Sequence, residues 1–414
     1  MEVAAALRGA CGESNVRAGG ELDTVGRCVP SFVAAPESVA GASAVLRAAA
    51  SAGMRVAFRG AGTTLRWGNS PEGCDLLVDT TRMNALLEHD AGDLILRVQA
   101  GIPLASVQAV VGQHGQQLAL DELYPGSTVG GALALGLSGP RRLLYGAARD
   151  LLTGITVIRA DGTVAKSGGR VVKNVAGYDL GRLFTGSYGT LGLIAEAAFR
   201  LHPLPETSLW LQGQYPTLEA ATAAARRVTT SQMAATAVEL EADVPGPAIL
   251  SVLLEGSLAG VESRAATLLP LLGEHAARLD AAPRDWNRLP VVDDEGALFR
   301  VAMTPGRLPQ FAADFEALVY SAGLRLLLRG SGGAGVLHLG LPGSTPADEL
   351  GPFIEALRDL VAPFDGTAVL LDAGSSADGI DRWGRVRGLD LMRAVKRQFD
   401  PGRVLAPGRF VGGI

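Results

Sequence analysis

Cysteine is scarce in this chain. Cys11, Cys28 and Cys74 are the only three among 414 residues, and their spacing suits neither a disulfide framework nor a zinc or iron–sulfur site. If the protein handles electrons, it has no cluster of its own through which to relay them. Long apolar runs are also missing: hydrophobic residues make up 48% of the chain, but charges interrupt them well short of the ~18 consecutive residues that a spanning helix needs. The stretch Met1 to Gly12 carries Glu2 early and has no basic start followed by an apolar block, so no secretion signal is expected and the reading is a cytoplasmic protein. A large excess of one charge sign is missing too. The net charge is −5 and the arginines are scattered rather than striped, which argues against nucleic acid as a partner.

Glycine, by contrast, is plentiful, with 54 residues. The length predicts two or three domains rather than one core. The most informative stretch is Arg59-Gly-Ala-Gly-Thr-Thr-Leu-Arg-Trp-Gly68, which follows the strand-like run Arg55 to Phe58. Gly60 and Gly62 allow positive φ and close backbone approach, and the small side chains of Ala61, Thr63 and Thr64 leave successive N–H groups uncovered. Such a concavity suits an oxyanion, a phosphate or pyrophosphate above all. Taken alone, the loop is equally well an ordinary turn.

A strand from Phe32, a helix opened by Pro36-Glu37-Ser38 and ended at Gly53, and the strand before the loop form a βαβ unit. Further strands are predicted over Asp75 to Asp79, Leu94 to Ala100 and Leu118 to Leu120, with a helix from Pro103 to Val111. The second stretch is Tyr124-Pro-Gly-Ser-Thr-Val-Gly-Gly-Ala-Leu-Ala-Leu-Gly136. Pro125-Gly126 marks a turn, Ser127 and Thr128 are capping residues, and Gly130-Gly131 bares the start of a helix, either an anion site or simply a capped helix. Ser138-Gly-Pro-Arg-Arg142 and Tyr145-Gly146 come next as a donor-rich loop, then a hairpin of Leu151 to Arg159 with Val164 to Lys166. The third stretch, Gly186-Ser-Tyr-Gly-Thr-Leu-Gly192, joins a short helix (Asp179 to Phe184) to a strand through Arg200, and its glycines bring backbone against something flat or tightly packed.

Beyond Glu206 the texture changes to alternating segments, Ala248 to Leu254, Leu298 to Met303, Leu324 to Leu328, Val336 to Leu341 and Ala368 to Asp372, between helical patterns near 217–228, 259–277, 307–321 and 347–362. This predicts an antiparallel sheet with helices on one face. Within it, Gly330-Ser-Gly-Gly-Ala-Gly335 matches the dinucleotide fingerprint G-x-G-x-x-G on paper. The next residues, Val-Leu-His-Leu-Gly-Leu-Pro, alternate like a strand instead of opening a helix, so the string reads as a strand-to-strand loop. A last helix, Leu389 to Phe399, precedes a Pro/Gly-rich tail.

The three Gly-rich stretches in this order resemble the FAD-binding domain of the vanillyl-alcohol oxidase/PCMH superfamily, over about residues 30–203. Val171-Val-Lys-Asn-Val-Ala-Gly-Tyr-Asp-Leu180, Ser138-Gly-Pro-Arg-Arg142 and the tail Phe399-Asp-Pro-Gly-Arg-Val-Leu-Ala-Pro-Gly-Arg409 look like one branch of it, the FAD-binding subunit of bacterial glycolate oxidase, although many relatives carry Asn where this chain has Ala406. The resemblance implies an α+β fold: an N-terminal extension (1–29), a two-lobed FAD-binding domain (30–205, lobes about 30–120 and 121–205), an α+β cap domain (206–385) and a C-terminal segment (386–414) returning to the FAD domain. It implies that Gly60, Ala61, Gly62, Thr63 and Thr64 hold the pyrophosphate, that Pro125, Gly126, Ser127, Thr128, Gly130 and Gly131 close over it, that Gly146 lies along the cofactor and that Ile194 meets the adenine end. Arg59 either balances phosphate charge or pairs with a carboxylate. Relatives that bind flavin covalently use His or Cys near these loops, and the first two motifs contain neither, so FAD is expected without a covalent bond.

The implied reaction is oxidation of a small 2-hydroxy acid, glycolate or D-lactate, with hydride passing to the flavin. No catalytic base is identified. His89 and His114 read as surface residues, His202 ends a strand, and His275 falls on a helix. His338 reads as a strand residue, one imidazole being too few for a metal site, and no metal is expected. The implied partners are a paralogous catalytic flavoprotein subunit and an iron–sulfur subunit, through which any membrane association would arise. The alternatives are a stand-alone FAD oxidase or dehydrogenase and a flavin-binding scaffold without turnover.

Overall fold

The computed structural model describes residues 2–169, 178–374 and 379–414. The portion of the 171–180 string from Val171 to Gly177 therefore lies outside the described residues. The chain divides into two compact units: Met1–Ser138 with Ala147–Leu204 and Val386–Ile414, and Gly139–Gly146 with Pro205–Arg385. The segment 139–146, expected in the FAD-binding domain, is grouped instead with the second unit, and residues 1–29 are part of the first.

The first unit holds two main sheets. One runs β1 (Val16–Ala18), β2 (Phe32–Ala34), β4 (Leu76–Asp79), β3 (Val56–Arg59), with β2, β4 and β3 parallel and β1 antiparallel at the edge. The helix Val39–Ser51 connects β2 to β3. Its Ser38 cap accepts the Gly41 N–H, and Ala42, Val45, Leu46 and Ala49 make one buried stripe at helical spacing. Gly53, at φ 64, releases the chain into β3. The other sheet is antiparallel, in the order β5 (Leu86–Asp90), β6 (Ile95–Gln99), β10 (Leu193–Arg200), β8 (Leu152–Ile158), β9 (Val164–Gly168). Here the structure departs from the expected lobes. The strand near 95–99, assigned by sequence order to the first lobe, pairs with β10 across Glu196↔Gln99, because pairing is decided by who lies alongside and not by chain position. The strand expected over 118–120 does not form; the two residues before it, β7 (Gln116–Gln117), pair instead with β11 (His202–Pro203) in a two-stranded ribbon.

The second unit is one eight-stranded antiparallel sheet: β15 (Ala277–Leu279), β12 (Thr207–Tyr215), β14 (Ala248–Gly256), β13 (Ala237–Val244), β17 (Leu326–Ser331), β18 (Val336–Leu341), β16 (Ala297–Ala302), β19 (Thr367–Asp372). Alternate residues such as Leu240, Leu250, Leu328, Leu339 and Phe299 join the core formed with the helices Leu218–Thr230, Leu258–Leu272, Leu308–Ser321 and Ala347–Val361. The fingerprint-like Gly330–Gly335 string is the β17–β18 hairpin, as its missing helix implied. The helical pattern expected over 259–277 stops at Leu272 because Gly273 turns to φ 104, which leaves His275 exposed in a turn and not on a helix. No helix among the described residues is long and apolar enough to cross a membrane.

Candidate cofactor site

Strand β3 ends at Arg59 and delivers the first Gly-rich loop. No backbone N–H from Ala61 to Thr64 forms a hydrogen bond within the protein among the described residues. Gly62 sits at φ 82, a conformation that exposes these amides and that a Cβ would strain. Arg59 is not available to a phosphate. Its guanidinium, 14% exposed, donates to Asp79 Oδ2 (2.7 Å) and to Asp23 Oδ1 (2.9 Å). Asp23 also accepts from Arg17 at 2.6 Å and from the Gly20 N–H. Those bonds, Arg17 first and then Arg59, hold its carboxyl well below the usual carboxylate range against the opposing effect of burial. The ion-pair reading of Arg59 is the one the structure supports, and the partner from the N-terminal extension is buried.

The second stretch converges on the first. A Cβ on Gly60 would overlap the Thr128 hydroxyl. Its helix, Val129–Leu135, nevertheless offers no free amides at its start: Val129 N–H donates to Ile102, Gly130 N–H to Ala100 at 2.7 Å, and Gly131 N–H to Thr128 Oγ1 at 3.2 Å. Gly126 and Ser127 N–H are used by Glu122 and Tyr124. The expectation of a second anion site at this helix end is thus corrected. The short connection packs the helix start against the end of β6, and the neighbouring carbonyls consume its donors. The third stretch reaches the same place, with Tyr188 N–H bonded to Ala134 and Gly189 packed so closely on Phe58 that a Cβ would stand 3.1 Å from its ring.

Together these residues line one cleft: Ala57 to Leu65, Thr128, Gly131, Ala134, Leu135, Tyr188, Gly189, Ala406 and Arg409. The cleft is open to solvent. Of the expected residues, Arg59, Gly60, Ala61, Gly62, Thr63, Thr64, Thr128 and Gly131 line it. Pro125, Gly126, Ser127, Gly130 and Ile194 are not among its lining residues, and Gly146 is grouped with the second unit. Ala134, Leu135, Tyr188 and Arg409 also line the cleft; they lie inside the quoted motifs but were assigned no role there, and Ala406, noted only for its departure from many relatives, joins them. Neither His nor Cys lines it.

A family model described as an FAD binding domain matches residues 30–168, and one described as the C-terminal domain of FAD linked oxidases matches residues 382–410. The chain thus carries an FAD-binding domain and the C-terminal segment of FAD-linked oxidases. It is an FAD-dependent oxidoreductase with an α+β fold. The chain is 26% identical to glycolate oxidase subunit GlcD of Bacillus subtilis, over 92% of this chain and 89% of that one. It is 37% identical to glycolate oxidase subunit GlcE of Escherichia coli, over 34% of this chain and 41% of that one. It is 27% identical to a D-lactate dehydrogenase of Archaeoglobus fulgidus, over 93% and 92% of the two chains. A solved alkyldihydroxyacetonephosphate synthase shares the fold at TM-score 0.76 and 17% identity, over 99% of this chain and 86% of that one. The cleft suits the family's cofactor: bare amides at a positive-φ glycine answer a diphosphate, and apolar walls from Phe58, Leu135 and Tyr188 answer flat rings.

The second unit carries a polar constellation of its own. Arg300, His338 and Arg329 are direct cross-strand partners on β16, β18 and β17, on the sheet face away from the helices. Burial, with Arg300 and Arg142 close by, pushes the His338 pKa down to about 3, so the imidazole is neutral. Arg329 is paired with Glu241 and Asp285, whereas Arg300 has no carboxylate partner among the described residues. Among the described residues no group of three or more His, Cys, Asp or Glu is arranged to hold a metal ion.

Proposed function

We propose that this chain is the FAD-binding subunit of a glycolate oxidase or 2-hydroxy-acid dehydrogenase complex, supporting oxidation of glycolate or D-lactate to the 2-oxo acid. The loop from Gly60 to Thr64 holds the diphosphate of a non-covalently bound FAD, Thr128 and Gly131 close the cleft, and Tyr188, Ala406 and Arg409 extend it. The bound flavin supplies the hydride acceptor. The observation that carries the substrate class is Arg300 beside neutral His338, since a guanidinium without a carboxylate partner among the described residues suits the carboxylate of a small hydroxy acid. The relatives named as glycolate oxidase subunits support the complex, with a paralogous flavoprotein subunit and an iron–sulfur subunit as partners.

A second reading is a stand-alone FAD-dependent hydroxy-acid dehydrogenase, favoured by similarity along nearly the whole of a D-lactate dehydrogenase. Anaerobic addition of glycolate or D-lactate to the purified, flavin-loaded chain separates the two. Flavin that stays oxidised until partner subunits are added supports the subunit. Flavin that bleaches in the lone chain overturns it in favour of the second reading.

A further inference from the structure

Lysine on a surface helix normally keeps its ammonium in water. Lys396, on the helix Leu389–Phe399, is 5% exposed. Its Nζ donates to Asp400 Oδ2 (2.7 Å), to the Thr190 carbonyl (2.7 Å) and to the Leu405 carbonyl (2.8 Å), which uses all three of its protons. Asp400, 1% exposed, also accepts the N–H groups of Val404 and Leu405. Burial lowers the Lys396 pKa and the adjacent carboxylate opposes that shift.

The two carbonyls adjoin the cleft. Thr190 follows Tyr188 and Gly189, Leu405 precedes Ala406, and Tyr188, Gly189 and Ala406 all line it. Tyr188 at φ 56 and Ala406 at φ 39 are both in the left-handed region, which side chains other than Gly, Asn and Asp adopt at a cost. Residues held this way persist only where their surroundings over-determine them. The tail is otherwise laced to β3, through Val56 N–H to Val404 and Ala406 N–H to Val56, and Phe410 packs against Tyr188 with their rings tilted by 31° and 5.3 Å between centres.

We propose that Lys396 is a positioning residue for the flavin: its ammonium ties the 186–192 turn to the C-terminal tail and holds the two strained cleft residues, Tyr188 and Ala406, in the conformations that receive the cofactor. The proposal rests on the reading of this cleft as the FAD site. It concerns affinity for the cofactor, separately from the stability of the fold.

The test uses the full chain stripped of flavin, titrated with FAD, with the melting temperature of each apoprotein and the visible spectrum of each bound flavin recorded alongside. Three variants are compared: Lys396→Met, the core variant Leu46→Ala, which lies in the Val39–Ser51 helix and does not line the cleft, and Gly62→Asp. Lys396→Met is expected to weaken FAD binding on the order of 100-fold and to change the fine structure of the flavin's visible band. Leu46→Ala, at an equal or larger loss of melting temperature, is expected to leave both close to wild type. Wild-type affinity in Lys396→Met, or a loss that Leu46→Ala reproduces at equal destabilisation, overturns the proposal. If Gly62→Asp loses FAD while Lys396→Met retains it, the cleft reading stands and the proposal alone falls. If Gly62→Asp binds FAD normally, the cleft reading falls and takes the proposal with it. Should Lys396→Met not fold, Asp400→Asn and Lys396→Arg, which keep most of the side-chain volume, are judged by the same comparison.

Discussion

The two units present polar chemistry in opposite ways. In the first, the cleft is built from main chain: uncovered amides from Ala61 to Thr64, a glycine at φ 82, and two side-chain-bearing residues, Tyr188 and Ala406, in left-handed conformations. In the second, side chains projecting from a regular sheet do the work, with Arg300, His338 and Arg329 aligned by register. A site of amides depends on backbone shape and on the absence of Cβ atoms, so its weak points are glycines. A site of side chains on strands depends on charge and register, so its weak points are the charged side chains themselves and any slip in pairing. The proposed function would use the contrast by holding a fixed cofactor in the first unit and a small, exchangeable anion in the second.

The largest effect is expected where a carboxylate enters the main-chain site. Gly62→Asp should weaken FAD binding by at least about a thousandfold, since it combines strain at positive φ with a like charge among phosphate oxygens. Flavin content equal to wild type after purification would remove the comparison's first half. Next comes Arg300→Met, which, assayed with the partner subunits present, should raise the KM for the hydroxy acid by about 100-fold while leaving this chain's flavin content unchanged. A loss of flavin in that variant, with KM unaltered, would mean the two chemistries are not separated as argued.

The buried imidazole gives a pH test. His338 stays neutral in the folded chain down to about pH 3, whereas in the unfolded chain it takes up a proton as pH falls through about 6.5. The unfolded state therefore binds more protons across that window, and this residue's contribution to stability is complete above it and declines as pH falls. From about pH 7 to about pH 5 the expected loss is ~2 kcal/mol. Denaturant unfolding at both pH values should show a smaller decline in His338→Gln, and an identical decline would refute the assignment. The smallest effect concerns Ala406. Asn tolerates the left-handed region better than Ala, so Ala406→Asn should raise apoprotein stability by about 0.5 kcal/mol, visible as a slightly higher melting temperature.

Much of this was legible in the sequence, and for a physical reason. Glycine strings with small neighbours mark places where backbone must be bare, and all three stretches did meet at one cleft. The helix Leu389–Phe399 and the strand Val336–Leu341 are set by hydrophobic period alone. The strand Ala237–Val244 was missed because Glu239, Glu241 and Asp243 are poor strand formers in isolation. They are accommodated because they occupy the sheet face away from the helical core while Val238, Leu240 and Ala242 face it. The capped helix after Thr128 was identified, but not the fate of its donors, because carbonyls of residues 100 and 102 reach them only once β6 has folded alongside.

By itself the sequence determined where the backbone is free of side chains, which faces are apolar and which segments must turn, because these depend on each residue and its near neighbours. Only the tertiary structure decided that Arg59 spends its charge on Asp23 and Asp79, that Arg142 stands beside His338, and that Lys396 is buried between a turn and a tail some two hundred residues apart in the chain. Partnership between distant charges depends on which segments come to lie side by side, and local pattern carries no record of that.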